Sequence, residues 1–340
     1  MRIARITAIA SRLPEQRLGN EALAELYPGW TAEKILEKTG IAERRIAASD
    51  ETASDLAFTA ARRLFDERGV DPTSIDFLLF CTQTPDYILP TTACLLQDRL
   101  GLPSHCGALD FNLGCSGFVY GLSLAKGLVE TGQASRVLLL TADTYSKLIH
   151  PGDKSVRTLF GDGACATLIE AVEGDASAIG PFVFGTDGRG AHNLIVPTGG
   201  FRRARDATSA VEVEDASGNV RTADDLYMNG AEIMAFTLAS VPTAVDALLA
   251  KAGLGKDEVD LFVPHQANAF MLERLRRKLG APPERWVVEL ERVGNTVSSS
   301  IPLALERRLD AGVSAGNGSR LAVLVGFGVG YSWAAACVRI

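Results

Sequence analysis

Hydrophobic and polar positions along the chain follow two repeating patterns. Short, nearly continuous apolar runs predict buried strands, and longer stretches with an apolar residue every three or four positions predict helices packed on one face. The predicted strands are Ile75–Thr82, Val137–Asp143, Ala164–Ala171, Val259–Pro264, Arg320–Gly326 and Ser332–Ile340. The predicted helices are Thr52–Arg68, Thr91–Leu100, Ser116–Thr131, Ala231–Ala252, Ala267–Leu279 and Ser299–Ala311. Because the two kinds of element alternate, the pattern is typical of an α/β fold.

The same order of predicted helices, turns and strands occurs twice in the chain. Residues 61–103 and residues 245–282 both read as helix, glycine turn, acidic turn, buried strand, polar turn and helix, and they end in the similar stretches RLGLP and KLGAP. The second copy begins about 180 residues after the first. We therefore expect two duplicated halves, residues 1–172 and residues 173–340. Residues 201–225, between the repeats, are polar and weakly periodic, and we expect them at the surface.

Composition narrows the class of protein. The 340 residues are 47% hydrophobic with a net charge of −7, and basic and acidic residues are interspersed, so nothing indicates a nucleic-acid partner. Arginines at positions 2, 5 and 12 interrupt any apolar signal segment, and we expect no stretch apolar enough to span a membrane. The six cysteines include no CxxC pair, so no metal site is expected. These features predict a cytoplasmic globular protein with reduced thiols.

One cysteine lies in an unusual setting. The stretch HCGALDFNLGC (105–115) predicts a strand, and SGFVYGLSLAKGLVETG (116–132) predicts a helix closed by Gly132, so Cys115 falls at the strand-to-helix turn. Gly114 and Gly117 permit a tight turn and the close approach of a ligand. The helix N-terminus favours a thiolate at this position. On this segment alone, a nucleophile and a buried thiol that only fills the turn fit equally well.

Two polar side chains in the second half are candidates to assist such a nucleophile. His265 follows a predicted strand in LFVPHQAN, at the edge where open α/β sheets bind ligands. Asn295 lies thirty residues further along, in a glycine turn that opens a helix. Each residue alone is more often structural. If the halves pack about a pseudo-twofold axis, the turns of Cys115, His265 and Asn295 can converge.

These motifs together resemble the thiolase-fold condensing enzymes, and most of all β-ketoacyl-acyl-carrier-protein synthase III. The resemblance covers essentially the whole chain, in LPEQ (13–16), TGIAERRIA (39–47), the cysteine turn (111–122), FGDGA (160–164), PHQAN (264–268), GNTVSSSIP (294–302) and GFGVGYSW (326–333). It implies an α/β, thiolase-like fold in which two duplicated halves form a five-layered αβαβα core. It also implies that Cys115, His265 and Asn295 are the catalytic residues.

The reaction that the resemblance implies is a decarboxylating condensation. Cys115 attacks an acyl thioester, delivered as acyl-CoA or on acyl carrier protein, and the backbone N–H groups of Cys115, Gly328 and Val329 form the oxyanion hole. Malonyl-carrier protein then enters, and His265 and Asn295 donate hydrogen bonds to its thioester oxygen while carbon dioxide leaves. The resulting enolate attacks the acyl group. The product starts a fatty-acid or related chain, and the chemistry needs no metal or redox cofactor.

The chain departs from the family where the primer binds. Lys34 and Lys154 stand where the family clamps adenine between a tryptophan and an arginine, and Trp30 lies four residues out of register. Ala231 replaces an asparagine of the pantetheine region. Leu89 stands where a bulky residue crosses the dimer interface into the partner's acyl pocket. We expect Lys34 and Lys154 to contact the phosphate of CoA or of the carrier, while the identity of the primer stays open.

A basic cluster follows the predicted histidine motif. Arg274, Arg276, Arg277 and Lys278 lie on one predicted helix, and they are candidates for docking an acidic carrier protein. A solvated helix face is the ordinary alternative for such a charge run. The resemblance also implies a homodimer.

Other classes of protein account for fewer of these motifs. A papain-like protease shares the Cys–His–Asn order but is expected to have disulfides and an aromatic residue beside the cysteine. A biosynthetic thiolase needs a second catalytic cysteine, and Cys337 lies inside a predicted strand. A type III polyketide synthase is usually a longer chain. An acyltransferase of the same fold, a secondary-metabolic condensing enzyme with a non-acetyl primer and an inactive scaffold subunit stay open.

Overall fold

The structure is a computed structural model, and it describes residues 1–310 and 320–340. Within these ranges the strands are β1 (Arg2–Arg12), β2 (Gln16–Gly19), β3 (Glu43–Ile46), β4 (Phe77–Cys81), β5 (Gly107–Phe111), β6 (Arg136–Asp143), β7 (Gly163–Glu173), β8 (Ile179–Thr186), β9 (Leu194–Ile195), β10 (Val213–Glu214), β11 (Val220–Arg221), β12 (Tyr227–Met228), β13 (Leu261–Pro264), β14 (Leu321–Gly328) and β15 (Ser332–Arg339). The α-helices are α1 (Asn20–Leu26), α2 (Ala32–Thr39), α3 (Ala53–Arg68), α4 (Thr92–Arg99), α5 (Gly117–Glu130), α6 (Lys154–Arg157), α7 (Gly230–Ala252), α8 (Ala269–Leu279) and α9 (Ser300–Asp310).

Two sheets with the same topology form the middle of the fold. Their strand orders are β5-β4-β6-β7-β1 and β13-β14-β15-β8. In the first sheet β4 is parallel to both β5 and β6, and in the second sheet β13 is parallel to β14. The two pairs that follow in each sheet are antiparallel. Trp286 makes a parallel bridge to Phe262 in β13, on the side where β5 pairs with β4 in the first sheet. The common order and direction confirm two duplicated halves; the boundary between residues 172 and 173 stays a prediction.

The helices complete five layers. Helices α3 and α4 pack on the first sheet, and α7 packs on the second sheet together with α8. Helix α5 lies between the sheets, in contact with β1, β4 and β6 on one side and with β8, β14 and β15 on the other. Because both of its sides are covered, its residues Phe118, Val119 and Leu122 are fully buried. This αβαβα order confirms the predicted core.

The predicted elements match the observed ones to within a few residues, with one clear difference in the first half. The strand predicted to reach Cys115 ends at Phe111, because the chain then turns, with Leu113 N–H donating to the Phe111 carbonyl at 3.3 Å and Gly117 N–H donating to the Gly114 carbonyl at 2.8 Å. The helix predicted over Ser299–Ala311 is α9, and Ala311 lies outside the described residues.

Helix α7 corrects one expectation from the sequence. Among the described residues it is long and apolar enough to cross a membrane by length and composition, so the expectation that no stretch approaches this limit is wrong. Half of its apolar window is buried, and the helix packs against β8, β14, β15 and α8. Core packing therefore accounts for its apolar side.

The polar segment 201–225 lies mostly at the surface, as expected. Its β10–β11 hairpin is fixed to the body of the protein by Arg221, whose Nε lies 2.8 Å from the buried carboxylate of Asp153.

Candidate active site

The three polar turns singled out in the sequence open into one cavity. It has a volume of about 250 Å³ and is lined by Cys115, His265 and Asn295. The other lining residues are mainly apolar: Leu159, Phe160, Leu194, Met228, Ile233, Met234, Ala267, Met271 and Phe327, with Ser155, Gly230, Asn268 and Gly328. Cys115 comes from the first half of the chain and the other two from the second, so the cavity lies where the halves meet.

Cys115 is held at the start of α5 by close backbone contacts. The residue is 6% exposed. A Cβ added at Gly326 would lie 2.6 Å from the Cys115 carbonyl oxygen, and one added at Gly328 would lie 3.0 Å from the Cys115 Sγ. Only glycine lets β14 pass this close to the cysteine turn.

The thiol of Cys115 is neutral at rest. Burial raises its pKa well above the ordinary range, and the nearby carboxyl group of Asp143 raises it further. The N-terminus of α5 acts in the opposite direction. From the sequence we expected the helix N-terminus to lower the pKa of Cys115. Burial raises this pKa by more than the helix lowers it.

His265 follows β13 and is 2% exposed. Its ring Nδ1 lies 2.7 Å from Ser300 Oγ, which also accepts a hydrogen bond from the Gln266 N–H at 3.4 Å. A Ser300 hydroxyl that donates to Nδ1 satisfies both contacts and places the ring proton on Nε2. Burial lowers the pKa of His265 to about 3, so the ring is neutral at physiological pH.

Asn295 lies in a tight turn after Gly294, whose φ is 75°. Its backbone N–H donates to the Leu159 carbonyl at 2.9 Å, and its carbonyl accepts from Gly161 N–H at 3.0 Å. Its side-chain Oδ1 accepts from Val297 N–H at 2.9 Å, which leaves the side-chain NH₂ group as the donor toward the cavity. The GNT and FGDGA motifs therefore form one structural unit.

A buried acid behind the cysteine was not singled out from the sequence. Asp143, at the end of β6, is fully buried and accepts hydrogen bonds from Gln83 N–H at 2.8 Å and from Ser298 Oγ at 2.5 Å. Burial raises its pKa to about 7, although these hydrogen bonds oppose the rise. The only sequence signal was a lone acid at the end of the apolar run VLLLTAD.

The predicted oxyanion-hole residues lie beside the cysteine. Gly328 lines the cavity. Val329 is half-buried, and its Cγ1 would lie 3.0 Å from a Cβ added at Gly114. The role of their N–H groups stays a prediction.

The predicted phosphate-binding lysines lie outside the cavity. The Lys34 ammonium donates to the Gly29 carbonyl at 2.9 Å and lies 5.4 Å from the ring centroid of Trp30. The Lys154 ammonium donates to the carbonyls of Ser217 and Gly218. An ammonium group has three N–H donors, so each lysine keeps at least one donor for a phosphate beside these backbone contacts.

The basic cluster on α8 divides into two parts. Arg274, Arg277 and Lys278 line an open surface groove with Ala269 and Phe270, and the carboxylates of Glu37 and Glu273 line it as well. Arg276 is not one of the groove residues; it donates to the Ala281 carbonyl at 2.9 Å. Arg276 and Arg277 both pair with Glu273, at 2.8 Å and 2.5 Å.

Two sheets of common topology and a cavity lined by Cys115, His265 and Asn295 are what the comparisons with known proteins have to match. Family models described as 3-oxoacyl-(acyl-carrier-protein) synthase III and its C-terminal part match residues 109–188 and 249–340. The β-ketoacyl-(acyl-carrier-protein) synthase III 2 of Halalkalibacterium halodurans is 38% identical over 99% of this chain and 96% of its own length.

Solved structures agree with these matches. A crystal structure of 3-oxoacyl-(acyl-carrier-protein) synthase III is 62% identical, with a TM-score of 0.98 over 99% of this chain and 100% of that one. The 3-oxoacyl-(acyl-carrier-protein) synthase of Burkholderia xenovorans is 41% identical, with a TM-score of 0.91 over 100% of this chain and 95% of that one. The chain therefore belongs to the 3-oxoacyl-(acyl-carrier-protein) synthase III family, and this membership favours a condensing enzyme over the alternatives left open by the sequence.

Proposed function

We propose that the protein joins an acyl group held on Cys115 to malonyl-acyl-carrier-protein, with loss of carbon dioxide, and so starts an acyl chain. The observation that carries this proposal is a single, mainly apolar cavity that holds the Cys115 thiol together with two hydrogen-bond donors, His265 and Asn295. The acyl carrier protein enters the proposal because the names of the relatives contain it.

In the first step Cys115 becomes acylated. Its Sγ attacks the carbonyl carbon of an acyl thioester, the thiol gives up its proton, and the departing carrier leaves as a thiol. The backbone N–H groups of Cys115, Gly328 and Val329 hold the oxyanion formed during this attack. Deprotonation accompanies the attack, since the resting thiol is neutral.

In the second step malonyl-carrier protein loses carbon dioxide. His265, through Nε2–H, and Asn295, through its NH₂ group, donate to the malonyl thioester oxygen. The electron pair of the breaking C–C bond moves into an enolate whose negative oxygen these two donors stabilise. The enolate carbon then attacks the acyl group, and the Cys115 thiolate leaves. A neutral histidine suits this role because charge develops on oxygen only during the reaction.

The carrier protein docks on α8. The helix begins at the mouth of the cavity, where Asn268 and Met271 line the wall, and its next turns carry the groove residues Arg274, Arg277 and Lys278. An acidic carrier bound there would have its thioester arm directed at the entrance. The phosphate of the arm, or of CoA, contacts the ammonium groups of Lys34 and Lys154.

The protein acts as a homodimer in the cytoplasm. The loop that carries Tyr87, Ile88 and Leu89 leaves these side chains 61%, 74% and 79% exposed. Adjacent exposed apolar side chains of this size are typical of an interface.

Intact-mass spectrometry and carbon dioxide release test the reaction together. Incubation with acyl thioesters should add one acyl group, which peptide mapping places on Cys115, and Cys115→Ala should abolish it while Cys94→Ala, at an exposed cysteine, should not. His265→Ala and Asn295→Ala should still be acylated but should lose carbon dioxide release by roughly 10²–10³-fold. An adduct on another cysteine, or decarboxylation that survives both alanine variants, would contradict the proposal.

A further inference from the structure

Val297 has a backbone conformation that valine rarely adopts. Its φ is 51°, and among residues 1–310 and 320–340 it is the only residue other than glycine with a positive φ. In this left-handed region the branched side chain of valine crowds the neighbouring backbone, which costs free energy. Such a conformation persists only where the surrounding structure holds it. Because Val297 is fully buried, the groups that hold it lie inside the protein.

Hydrogen bonds on both sides of Val297 in the chain hold this conformation. Before it, Asn295 Oδ1 accepts a hydrogen bond from the Val297 N–H at 2.9 Å. After it, Ser298 is bound to Asp143, which accepts from the Ser298 N–H at 3.2 Å and from the Ser298 Oγ at 2.5 Å. Ser298 and Asp143 are both buried, so bulk water does not compete for these contacts.

Asp143 gives the turn a fixed point in the first half of the chain. It is the last residue of β6, and its other carboxylate oxygen accepts from the Gln83 N–H at 2.8 Å. The next serine, Ser299, binds the same strand in a different way, since its Oγ donates to the backbone carbonyl of Thr141 at 2.9 Å. Two neighbouring buried serines therefore contact β6, and Ser298 is the one bound to the carboxylate.

The orientation of the Asn295 amide depends on Val297. Because the Val297 N–H binds Asn295 Oδ1, the NH₂ group of Asn295 is left to face the cavity. Without the contact between Ser298 and Asp143, Val297 can return to a negative φ, and its N–H then turns away from Asn295. The amide of Asn295 then rotates, and its NH₂ group is no longer held on the thioester oxygen.

We propose that Asp143 is a positioning residue for the loss of carbon dioxide. Through Ser298 it keeps Val297 in the left-handed conformation, and Val297 in turn orients the amide of Asn295. Asp143 acts from behind the site, since Asn295 lines the cavity and Asp143 does not. This inference rests on the proposed function, because it concerns the decarboxylation of malonyl-acyl-carrier-protein.

Two rates measured on each variant test this inference. They are kcat for carbon dioxide release from malonyl-acyl-carrier-protein and the rate at which acetyl-N-acetylcysteamine thioester adds mass at Cys115. Ser298→Ala should lower carbon dioxide release at least about tenfold, the scale expected for a misplaced donor, and should leave acylation unchanged. Asp143→Asn should lower carbon dioxide release in the same way, because its NH₂ group accepts no hydrogen bond. Ser299→Ala is the matched control, since it removes a buried hydroxyl from the neighbouring residue and should leave both rates unchanged.

Two double variants separate positioning from a general structural effect. If Ser298 acts through Asn295, the double variant Asn295→Ala/Ser298→Ala should release carbon dioxide no more slowly than Asn295→Ala alone. If the backbone of Val297 is the link, adding Val297→Gly to Ser298→Ala should raise the rate at least about threefold, because glycine adopts a positive φ without steric cost.

The results distinguish failure of this inference from failure of the proposed function. Unchanged carbon dioxide release in Ser298→Ala or Asp143→Asn, or an equal loss in Ser299→Ala, would overturn the inference alone. A further loss in Asn295→Ala/Ser298→Ala, or no recovery with Val297→Gly, would do the same. Unchanged carbon dioxide release in Asn295→Ala would overturn the proposed function and this inference with it.

Discussion

At the scale of single residues, the site consists of groups that their surroundings keep uncharged. Burial raises the pKa of Cys115 and lowers that of His265 to about 3, and Asn295 carries no charge. Charge therefore appears in the cavity only as the reaction proceeds, where fixed donors stabilise it most effectively in a low-dielectric surrounding.

The neutral thiol leads to a prediction about alkylation. Reaction of Cys115 with iodoacetamide should be slow at pH 7 and should rise about tenfold per pH unit to beyond pH 9, because only the thiolate reacts. Cys94, which is exposed, is the internal reference. Peptide mass spectrometry of timed samples gives both rates. A Cys115 rate that levels off below pH 7 would show a thiolate at rest.

Asp143 leads to a prediction about stability. Its pKa of about 7 in the folded protein exceeds the value of about 3.9 in an unfolded chain. The folded state therefore binds more protons between these values, and this carboxyl's stabilising contribution is full below about pH 4 and is lost as pH rises through 7. The difference in free energy of unfolding, Asp143→Asn minus wild type, should therefore rise by roughly 3 kcal/mol when the pH is raised from 5 to 8.

Urea denaturation at the two pH values measures this difference. Asp66→Asn, an exposed substitution on α3, should show no such change. A difference between Asp143→Asn and wild type that is independent of pH would contradict the raised pKa.

The sequence identified Cys115, His265 and Asn295, which line the cavity, because each lies in a local motif of glycine and polar residues. It did not identify Asp143, whose importance comes from burial beside residues distant in the chain. For the same reason it predicted a thiolate at Cys115: a helix N-terminus is visible locally, whereas desolvation depends on how the halves pack.

At the scale of elements, β14 and α5 fix the nucleophile by passing unusually close together. A Cβ at Gly326 would lie 2.6 Å from the Cys115 carbonyl oxygen and 2.7 Å from the Ser116 Cα. Backbone atoms cannot move aside as a flexible side chain can, so these contacts fix the distance between a strand of the second half and a helix of the first.

Gly326→Ala should therefore reduce both stability and acylation. The overpacked contact should cost about 3 kcal/mol in free energy of unfolding, and the displaced turn should slow acylation of Cys115. The control is Gly127→Ala in α5, where an added Cβ meets nothing within 4 Å and helix propensity favours alanine by about 0.5–1 kcal/mol. Denaturant titration and intact-mass kinetics measure the two effects. Full activity of Gly326→Ala would show that the turn tolerates displacement.

The central strands β4, β6 and β14 were predictable because they are covered on both faces and read as continuous apolar runs. The strands β1 and β8, each at the end of its sheet, were not predicted. The end of β5 was not predictable. The apolar pattern continues past Phe111, but the hydrogen bonds of the sheet end there and those of a turn begin. The two-residue strands β9 and β12 pair with each other and leave no periodic signal of their own.

At the scale of the whole molecule, α8 connects the cavity to the surface where the carrier is proposed to bind. A triple variant with Arg274→Glu, Arg277→Glu and Lys278→Glu should raise KM for malonyl-acyl-carrier-protein at least about tenfold. The effect should be weaker at high salt. Acylation by N-acetylcysteamine thioesters should be unchanged, because it needs no docking. Arg62→Glu, an exposed reversal on α3, is the control. An equal loss with small thioesters would indicate damage to the cavity instead of lost docking.

The exposed loop at Leu89 is the proposed dimer interface. Tyr87, Ile88 and Leu89 are adjacent large side chains, each more than half exposed, and a second copy of the chain would bury them. The wild type should therefore sediment as a dimer at micromolar concentration, and Leu89→Asp should shift it toward monomer, because an uncompensated carboxylate would be buried at the interface. Phe201→Asp is the matched control, since Phe201 is 93% exposed in the polar segment 201–225 and has no apolar neighbours of this kind beside it in the chain. Analytical ultracentrifugation measures both variants. A monomeric wild type, or a Leu89→Asp dimer as stable as the wild type, would place the interface elsewhere and would remove Leu89 from the acyl pocket of a partner.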